Sequence, residues 1–120
     1  MEPRSINESE VAVILAALKR APVAPEAVEL EPTVPSLRVL KRCDCGCDSV
    51  DFEDDPNEKS DLIADGVGTT PSGGDVGVIV WGTSTRITGL EIYDLGADDD
   101  IRLPVPSSIT PFPPITHVRD

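Results

Sequence analysis

The sequence feature that most constrains the fold is an almost continuously apolar segment, VGVIVWG, at residues 76–82. A short apolar run bounded by turn residues is typical of a buried strand, so we expect it centrally in a sheet with both faces covered. After a short turn, RITGLEIYDL at residues 86–95 predicts the returning strand of a hairpin. Gly89 interrupts the alternation of this strand. It predicts a bulge that places Ile87 on the same face as Leu90.

An amphipathic helix is predicted near the N-terminus. Asn7 is a favourable N-cap, and Glu10 stands at the third helical position, where its side chain can close a capping box. Four apolar residues follow at helical spacing and share one face: Val11, Ile14, Leu15 and Leu18. Pro22 ends the helix. We expect the apolar face to pack on the domain's own sheet, the alternative being a docking helix for a partner.

Shorter strands and loops are predicted for the rest of the chain. LRVLKR at residues 37–42 and SVDFE at 49–53 predict two strands of a second hairpin. The polar, glycine-rich residues 53–75 predict a loop, with local strand near Leu62–Ile63. IRLPV at 101–105 predicts an edge strand, because its proline cannot donate a ladder hydrogen bond.

Together these segments predict a single α+β domain over residues 1–105. One or two N-terminal helices, the second beginning at Pro25, pack on a mostly antiparallel sheet of four to five strands. Residues 106–120 form a proline-rich tail that we expect to be extended or disordered. A chain of 120 residues is long enough to bury its own core without a metal or a disulfide.

The charge of the chain limits the partners that it can bind. Its 22 acidic and 10 basic residues give a formal net charge of −12. Nucleic acids and anionic membranes repel such a surface, so we expect neither as a partner. The acidity fits a basic protein partner or a hard cation, but a merely solvated acidic surface is the commoner meaning of such charge. Neither a signal peptide nor a membrane-spanning segment is predicted, and the expected location is the cytoplasm.

All three cysteines of the chain lie within five positions, in the sequence RCDCGCDSVDF at residues 42–52. Three thiolates can ligate zinc, which makes this cysteine cluster the candidate metal site. Its ligands would be Cys43, Cys45 and Cys47. The set is incomplete, because tetrahedral zinc takes a fourth ligand. Asp44, Asp48, water or the remote His117 would have to supply it.

Two other roles remain open for the cysteine cluster. A redox role needs reactive thiolates, which Arg42 favours but which Asp44 and Asp48 oppose by charge repulsion. A structural role would leave one or two cysteines buried as small apolar residues that fix a turn. No catalytic constellation is predicted, because the single histidine, His117, lies in the tail and Ser107 has no evident base. We therefore expect that the protein is not an enzyme.

The stretch from Leu37 to Phe52, LRVLKRCDCGCDSVDF, resembles a motif of small uncharacterised bacterial proteins. That family is similar in combining an N-terminal helical part, a hairpin around C-x-C-G-C, and a strand pair like VGVIVWG…LEIYDL. The resemblance spans residues 6–105 and implies no established activity. The sequence thus predicts a non-enzymatic protein-binding module without a cofactor. The alternative is a zinc-binding or redox-responsive protein that uses the cysteine cluster.

Overall fold

A computed structural model of the chain describes residues 3–42, 48–52, 60–96 and 101–112. Within these ranges the chain forms one α-helix, α1 (Glu8–Arg20), and two 3-10 helices, Val28–Ser36 and Pro106–Ser108. The strands are β1 (Arg4–Ser5), β2 (Arg38–Val39), β3 (Lys41–Arg42), β4 (Val50–Asp51), β5 (Asp61–Thr69), β6 (Asp75–Gly82), β7 (Ile87–Asp94) and β8 (Thr110–Pro111). The predicted α+β fold is confirmed, although the described strands number eight rather than four to five.

Six strands form one antiparallel sheet in the order β3-β4-β7-β6-β5-β8, while β1 and β2 pair with each other. β6 lies between β7 and β5, so its predicted central position is confirmed. The register of β6 against β7 shifts where Gly82 opposes Ile87 and Trp81 opposes Gly89. This is the predicted bulge, and it leaves Ile87 and Leu90 both buried.

The start of α1 follows the predicted capping box. Asn7 Oδ1 accepts a hydrogen bond from the Glu10 N–H at 2.8 Å, and Glu10 Oε1 accepts one from the Asn7 N–H at 3.0 Å. Arg4 binds the same carboxylate, with its NH2 nitrogen 2.8 Å from Glu10 Oε2. These three groups together fix where the helix begins and how β1 enters it.

The buried stripe of α1 is rotated from the predicted one. Val13 and Ala17 are fully buried together with Ile14 and Leu18, whereas Val11 and Leu15 are only half-buried. The helix contacts β5 and β6 on one side and the first 3-10 helix on another. Because two neighbours share the buried face, its centre lies at Val13 and Ala17 rather than at Val11 and Leu15.

β5 confirms the local strand predicted near Leu62–Ile63 but extends over Asp61–Thr69, so the prediction of a loop is wrong for the rest of that range. Its glycines suggested a loop, but they serve close packing. A Cβ at Gly66 would lie 2.7 Å from the Thr110 carbonyl oxygen, and one at Gly68 would lie 2.7 Å from Pro104 Cβ. The strand therefore needs glycine where the C-terminal segment crosses it.

The outer edge of β5 is covered by two segments from distant parts of the chain. The Asp65 N–H donates to the Ala21 carbonyl at 3.0 Å, and Gly66 and Val67 pair with β8. Residues 101–105 are irregular, so the predicted edge strand there is wrong and β8 takes that position. The packed structure thus continues past residue 105 to residue 112. Residues 113–120 of the predicted tail lie outside the described residues.

Candidate functional site

One face of the large sheet points away from α1. Side chains alternate along strands and directly opposed residues share a face, so the register defines the members of this open face. They are Leu62, Asp65, Val67 and Thr69 of β5, Asp75, Gly77, Ile79 and Trp81 of β6, Gly89, Glu91 and Tyr93 of β7, Asp51 of β4, Lys41 of β3 and Thr110 of β8.

The open face leaves five large apolar side chains outside the hydrophobic core. They are half-buried, and none joins the core cluster or packs against it within the described residues: Leu62, Val67, Ile79, Trp81 and Tyr93. The described residues thus do not confirm the prediction that β6 has both faces covered. The alternate residues of β6, Val76, Val78 and Val80, are fully buried on the opposite face.

The single tryptophan and the single tyrosine of the chain both lie on the open face. Tyr93 is directly opposite Gly77, and a Cβ at Gly77 would overlap the far end of the tyrosine ring. Trp81 is directly opposite Gly89, where a Cβ would lie 3.8 Å from Trp81 Cδ1. The Tyr93 ring thus lies across Gly77, which offers no side chain to displace it, whereas Trp81 is only in ordinary van der Waals reach of the Gly89 position.

This reciprocal arrangement follows from a motif that β6 and β7 share. Each strand carries a glycine, a central residue two positions later and an aromatic residue two positions after that. Those triplets are Gly77, Ile79 and Trp81 in β6 and Gly89, Glu91 and Tyr93 in β7. Antiparallel strands are related by a local two-fold axis, so equal motifs place the aromatic rings at opposite ends of the pair. Trp81 and Tyr93 were not among the site residues predicted from the sequence, although the shared motif is visible there.

Carboxylates surround the centre of the open face. Asp65 and Glu91 stand directly opposite Ile79 on its two neighbouring strands. Glu91 Oε1 accepts a hydrogen bond from Trp81 Nε1 at 3.0 Å, which fixes the indole beside the carboxylate. Asp51 and Asp75 add negative charge at the margins, and Lys41 opposes Asp51 at one edge. The face is therefore both aromatic and acidic.

The described residues around the Asp65 carboxylate do not offset the free-energy cost of its burial. Its Oδ1 atom is buried, and none of the donors in the described part of the chain reaches it. Burial raises the pKa of Asp65 above its ordinary value. The pKa of Tyr93 is also raised, first by burial and then by the negative charges of Asp65 and Glu91. The negative charges of Asp65 and Glu91 are therefore both felt by the Tyr93 hydroxyl group.

The arrangement suits an organic cation better than a metal ion. Aromatic faces and carboxylates attract ammonium and guanidinium groups together. A divalent metal instead needs several ligands close to one point, and no three His, Cys, Asp or Glu side chains converge in this way among the residues that the structure describes.

The predicted metal ligands lie elsewhere. β3 and β4 pair with Arg42 opposite Val50, which confirms the predicted hairpin on either side of the cysteine cluster. Asp48, one of the possible fourth ligands, accepts a hydrogen bond from the Leu103 N–H at 2.9 Å through Oδ2. Cys43, Cys45 and Cys47 lie outside the described residues, as do Asp44 and His117. The zinc site at the cysteine cluster therefore stays a prediction.

Comparisons of the chain with protein-family models, curated proteins and solved structures each return no significant match. The resemblance to small bacterial proteins with a C-x-C-G-C hairpin thus stays a prediction. In the described residues no helix has the length and apolar character needed to cross a membrane.

Proposed function

We propose that the protein is a non-enzymatic protein-binding module that holds a basic segment of a partner on the open face. The placement of the single tryptophan and single tyrosine carries this proposal. Aromatic side chains bury large apolar areas, so a chain poor in them gains most stability by placing them in its core. Here Trp81 and Tyr93 lie outside it, and these are residue types that dominate binding energy at protein interfaces.

The charge of the open face favours a basic occupant. Its acidic residues outnumber its described basic residue, and the whole chain carries a net charge of −12. A second copy of this chain would bring acidic residues against acidic residues, which costs binding energy. Nucleic acids are repelled for the same reason. Such a module would act in the cytoplasm, as the sequence predicts.

The size of the open face favours a short segment over a globular domain. Strands of about eight residues span roughly 27 Å, and three strands side by side cover roughly 14 Å, which gives about 400 Å². Stable interfaces bury about 800 Å² on each partner, and weak or transient ones bury less. We therefore expect a transient complex with an extended or helical peptide segment.

Selection from a random peptide library displayed on phage tests the proposal with the full chain as bait. We expect the selected peptides to be enriched in arginine and lysine and to bind less tightly as salt rises. Trp81→Ala should weaken the selected peptides by about tenfold or more, as expected of a hot-spot residue. Val28→Ala is the matched control, since it truncates an exposed apolar side chain on the first 3-10 helix.

Two results would overturn the proposal. One is selection of peptides without basic residues. The other is a set of basic peptides that bind the Trp81→Ala variant as tightly as they bind the unaltered chain and the Val28→Ala control.

A further inference from the structure

We propose that the centre of the open face is a subsite for one guanidinium group, held over Ile79 between Asp65 and Glu91. The inference rests on the proposed function and names the chemical group of the partner that the surface recognises: an arginine side chain.

The register of the three central strands provides the space for such a group. Asp65, Ile79 and Glu91 form one row across β5, β6 and β7. With strands about 4.8 Å apart, the Cα atoms of the two acidic residues lie roughly 10 Å from each other. The side chain of Ile79 stands between them. A planar cation above Ile79 would thus meet an apolar floor and a carboxylate on either side.

The aromatic residues bound this position at both ends of the row. The hydrogen bond from Trp81 Nε1 to Glu91 Oε1 holds the indole close to the carboxylate. The ring of Tyr93 reaches from β7 across Gly77 of β6, so its hydroxyl end is directed towards β5. A guanidinium group both stacks on aromatic rings and pairs with carboxylates. An ammonium group pairs with carboxylates as well as a guanidinium does, but it does not stack on rings equally well.

Asp65 supplies an independent reason for a cationic occupant. A buried carboxylate oxygen without a hydrogen-bond donor lowers the stability of the folded chain. A cation beside Asp65 would offset that loss. Among the described residues no donor reaches Asp65 Oδ1, so this carboxylate is a candidate to pair with a cation from another molecule.

The test uses the full chain and acetyl-arginine amide as the probe, with binding followed by the fluorescence of Trp81, the single tryptophan. We expect a saturable change with affinity in the millimolar range, typical of a ligand with so few atoms. Asp65→Asn and Glu91→Gln should each weaken binding by about tenfold, because each removes a charge-assisted contact. Asp75→Asn removes the same charge from the margin of the face and should change binding by less than about twofold.

Each variant keeps the local structure that the comparison needs. In the Glu91→Gln variant the side-chain amide oxygen can still accept the hydrogen bond from Trp81 Nε1, so the indole position is retained. Thermal unfolding of each variant should show that Asp65→Asn is at least as stable as the unaltered chain. A purely structural role for Asp65 would instead lower the melting temperature.

Three outcomes would overturn the subsite. The first is that acetyl-arginine amide gives no saturable change in fluorescence. The second is that Asp75→Asn weakens binding of acetyl-arginine amide as much as Asp65→Asn does. The third is that acetyl-lysine amide binds more tightly than acetyl-arginine amide. If library-selected basic peptides still bind and lose affinity with Trp81→Ala, the proposed function stands without this subsite. If those peptides also fail to depend on Trp81, the proposed function fails as well.

Discussion

The ring of Tyr93 lies across Gly77, the residue directly opposite it on β6. The position of an aromatic side chain on one strand is thus set by the absence of a side chain on the next. Trp81 is also opposite a glycine, Gly89, but a Cβ there would lie at an ordinary contact distance of 3.8 Å from Trp81 Cδ1. The position of the Tyr93 ring therefore depends on Gly77, and substitution of Gly77 should alter the surface without touching the core.

The substitution Gly77→Ala tests this relationship. The added methyl group meets the far end of the Tyr93 ring, which can swing away, so we expect the fold to be retained. Alanine in a strand interior is favoured over glycine by about 0.5–1 kcal/mol, which supports that expectation. Near-ultraviolet circular dichroism should report the moved ring, and binding of library-selected basic peptides should fall by about fivefold.

Gly66→Ala is the contrasting variant. Its methyl group meets the backbone oxygen of Thr110, which cannot rotate away, so this change should lower the free energy of unfolding by about 1–3 kcal/mol. If Gly77→Ala lowers stability to a similar degree, or leaves peptide binding unchanged, the role given to the Tyr93 position is wrong.

Asp65 makes stability fall as pH rises. Its pKa in the folded chain is raised by burial above the ordinary value of 3.8, so the folded chain holds this proton more tightly than the unfolded chain. Stability is therefore lost as pH rises through the folded pKa of Asp65. Asp65→Asn removes this dependence and should unfold at an equal or higher urea concentration at pH 7. A lower midpoint for the variant at pH 7 would contradict the assignment.

Glu10 has the opposite pH dependence. Burial is the largest influence on its pKa and raises it, but hydrogen bonds from Arg4 and the Asn7 N–H, with the charges of Arg4 and Arg42, outweigh burial. The pKa of Glu10 is thus lowered from the ordinary value of 4.5. The stability that ionised Glu10 contributes is therefore present above pH 4.5 and is lost as pH falls through the pKa of Glu10 in the folded chain.

Two substitutions separate the contributions of Glu10. Glu10→Ala removes the capping box and the Arg4 contact and should lower the free energy of unfolding by about 1–2 kcal/mol at pH 7. Glu10→Gln can keep the capping box and should cost less, since the Arg4 side chain is 36% exposed and its charge is partly screened. Urea unfolding at pH 7 and pH 3 measures both, with exposed Glu8→Gln as the control. If the stability difference between the Glu10→Gln variant and the unaltered chain is as large at pH 3 as at pH 7, the charge of Glu10 is not its cause.

The zinc prediction at the cysteine cluster has a direct measurement. Native mass spectrometry of protein purified without chelator or affinity metal should be compared with the Cys43/Cys45/Cys47→Ser variant. If the thiolates form a zinc site, the unaltered chain carries one zinc and the variant carries none, with a loss of stability because metal binding is coupled to folding. A metal-free, stably folded chain with three free thiols would leave the cysteines a structural or redox role.

Local signals made part of the fold predictable. The capping box at Asn7 and Glu10, and the bulge at Gly89, depend on residues close together in sequence, and both are present. β5 was missed because its glycines fit against Thr110 and Pro104, more than 30 residues further along the chain. In a local sequence pattern, glycine indicates a flexible backbone. The pattern does not show which distant segment packs into the space that the missing side chain leaves.

The candidate site was predictable only in part. The acidic charge and the preference for a basic partner follow from composition, but the open face depends on which side of β6 lacks a cover. The apolar run from Val76 to Trp81 looks the same whether one face or both are buried. The pairing of Trp81 with Gly89 requires the strand register, which the bulge shifts by one residue.

The two-part cover of β5 has a consequence for the newly made chain. Pro111, which pairs with Gly66, is added some 45 residues after it. At ribosomal rates of about 5–20 residues per second, the part of the β5 edge at Gly66 and Val67 is made roughly two to nine seconds before the segment that pairs with it. During that interval neighbouring nascent chains present the same open edge to one another. An open strand edge can pair with another, so we expect crowding of ribosomes on the message to favour aggregation of this protein during synthesis.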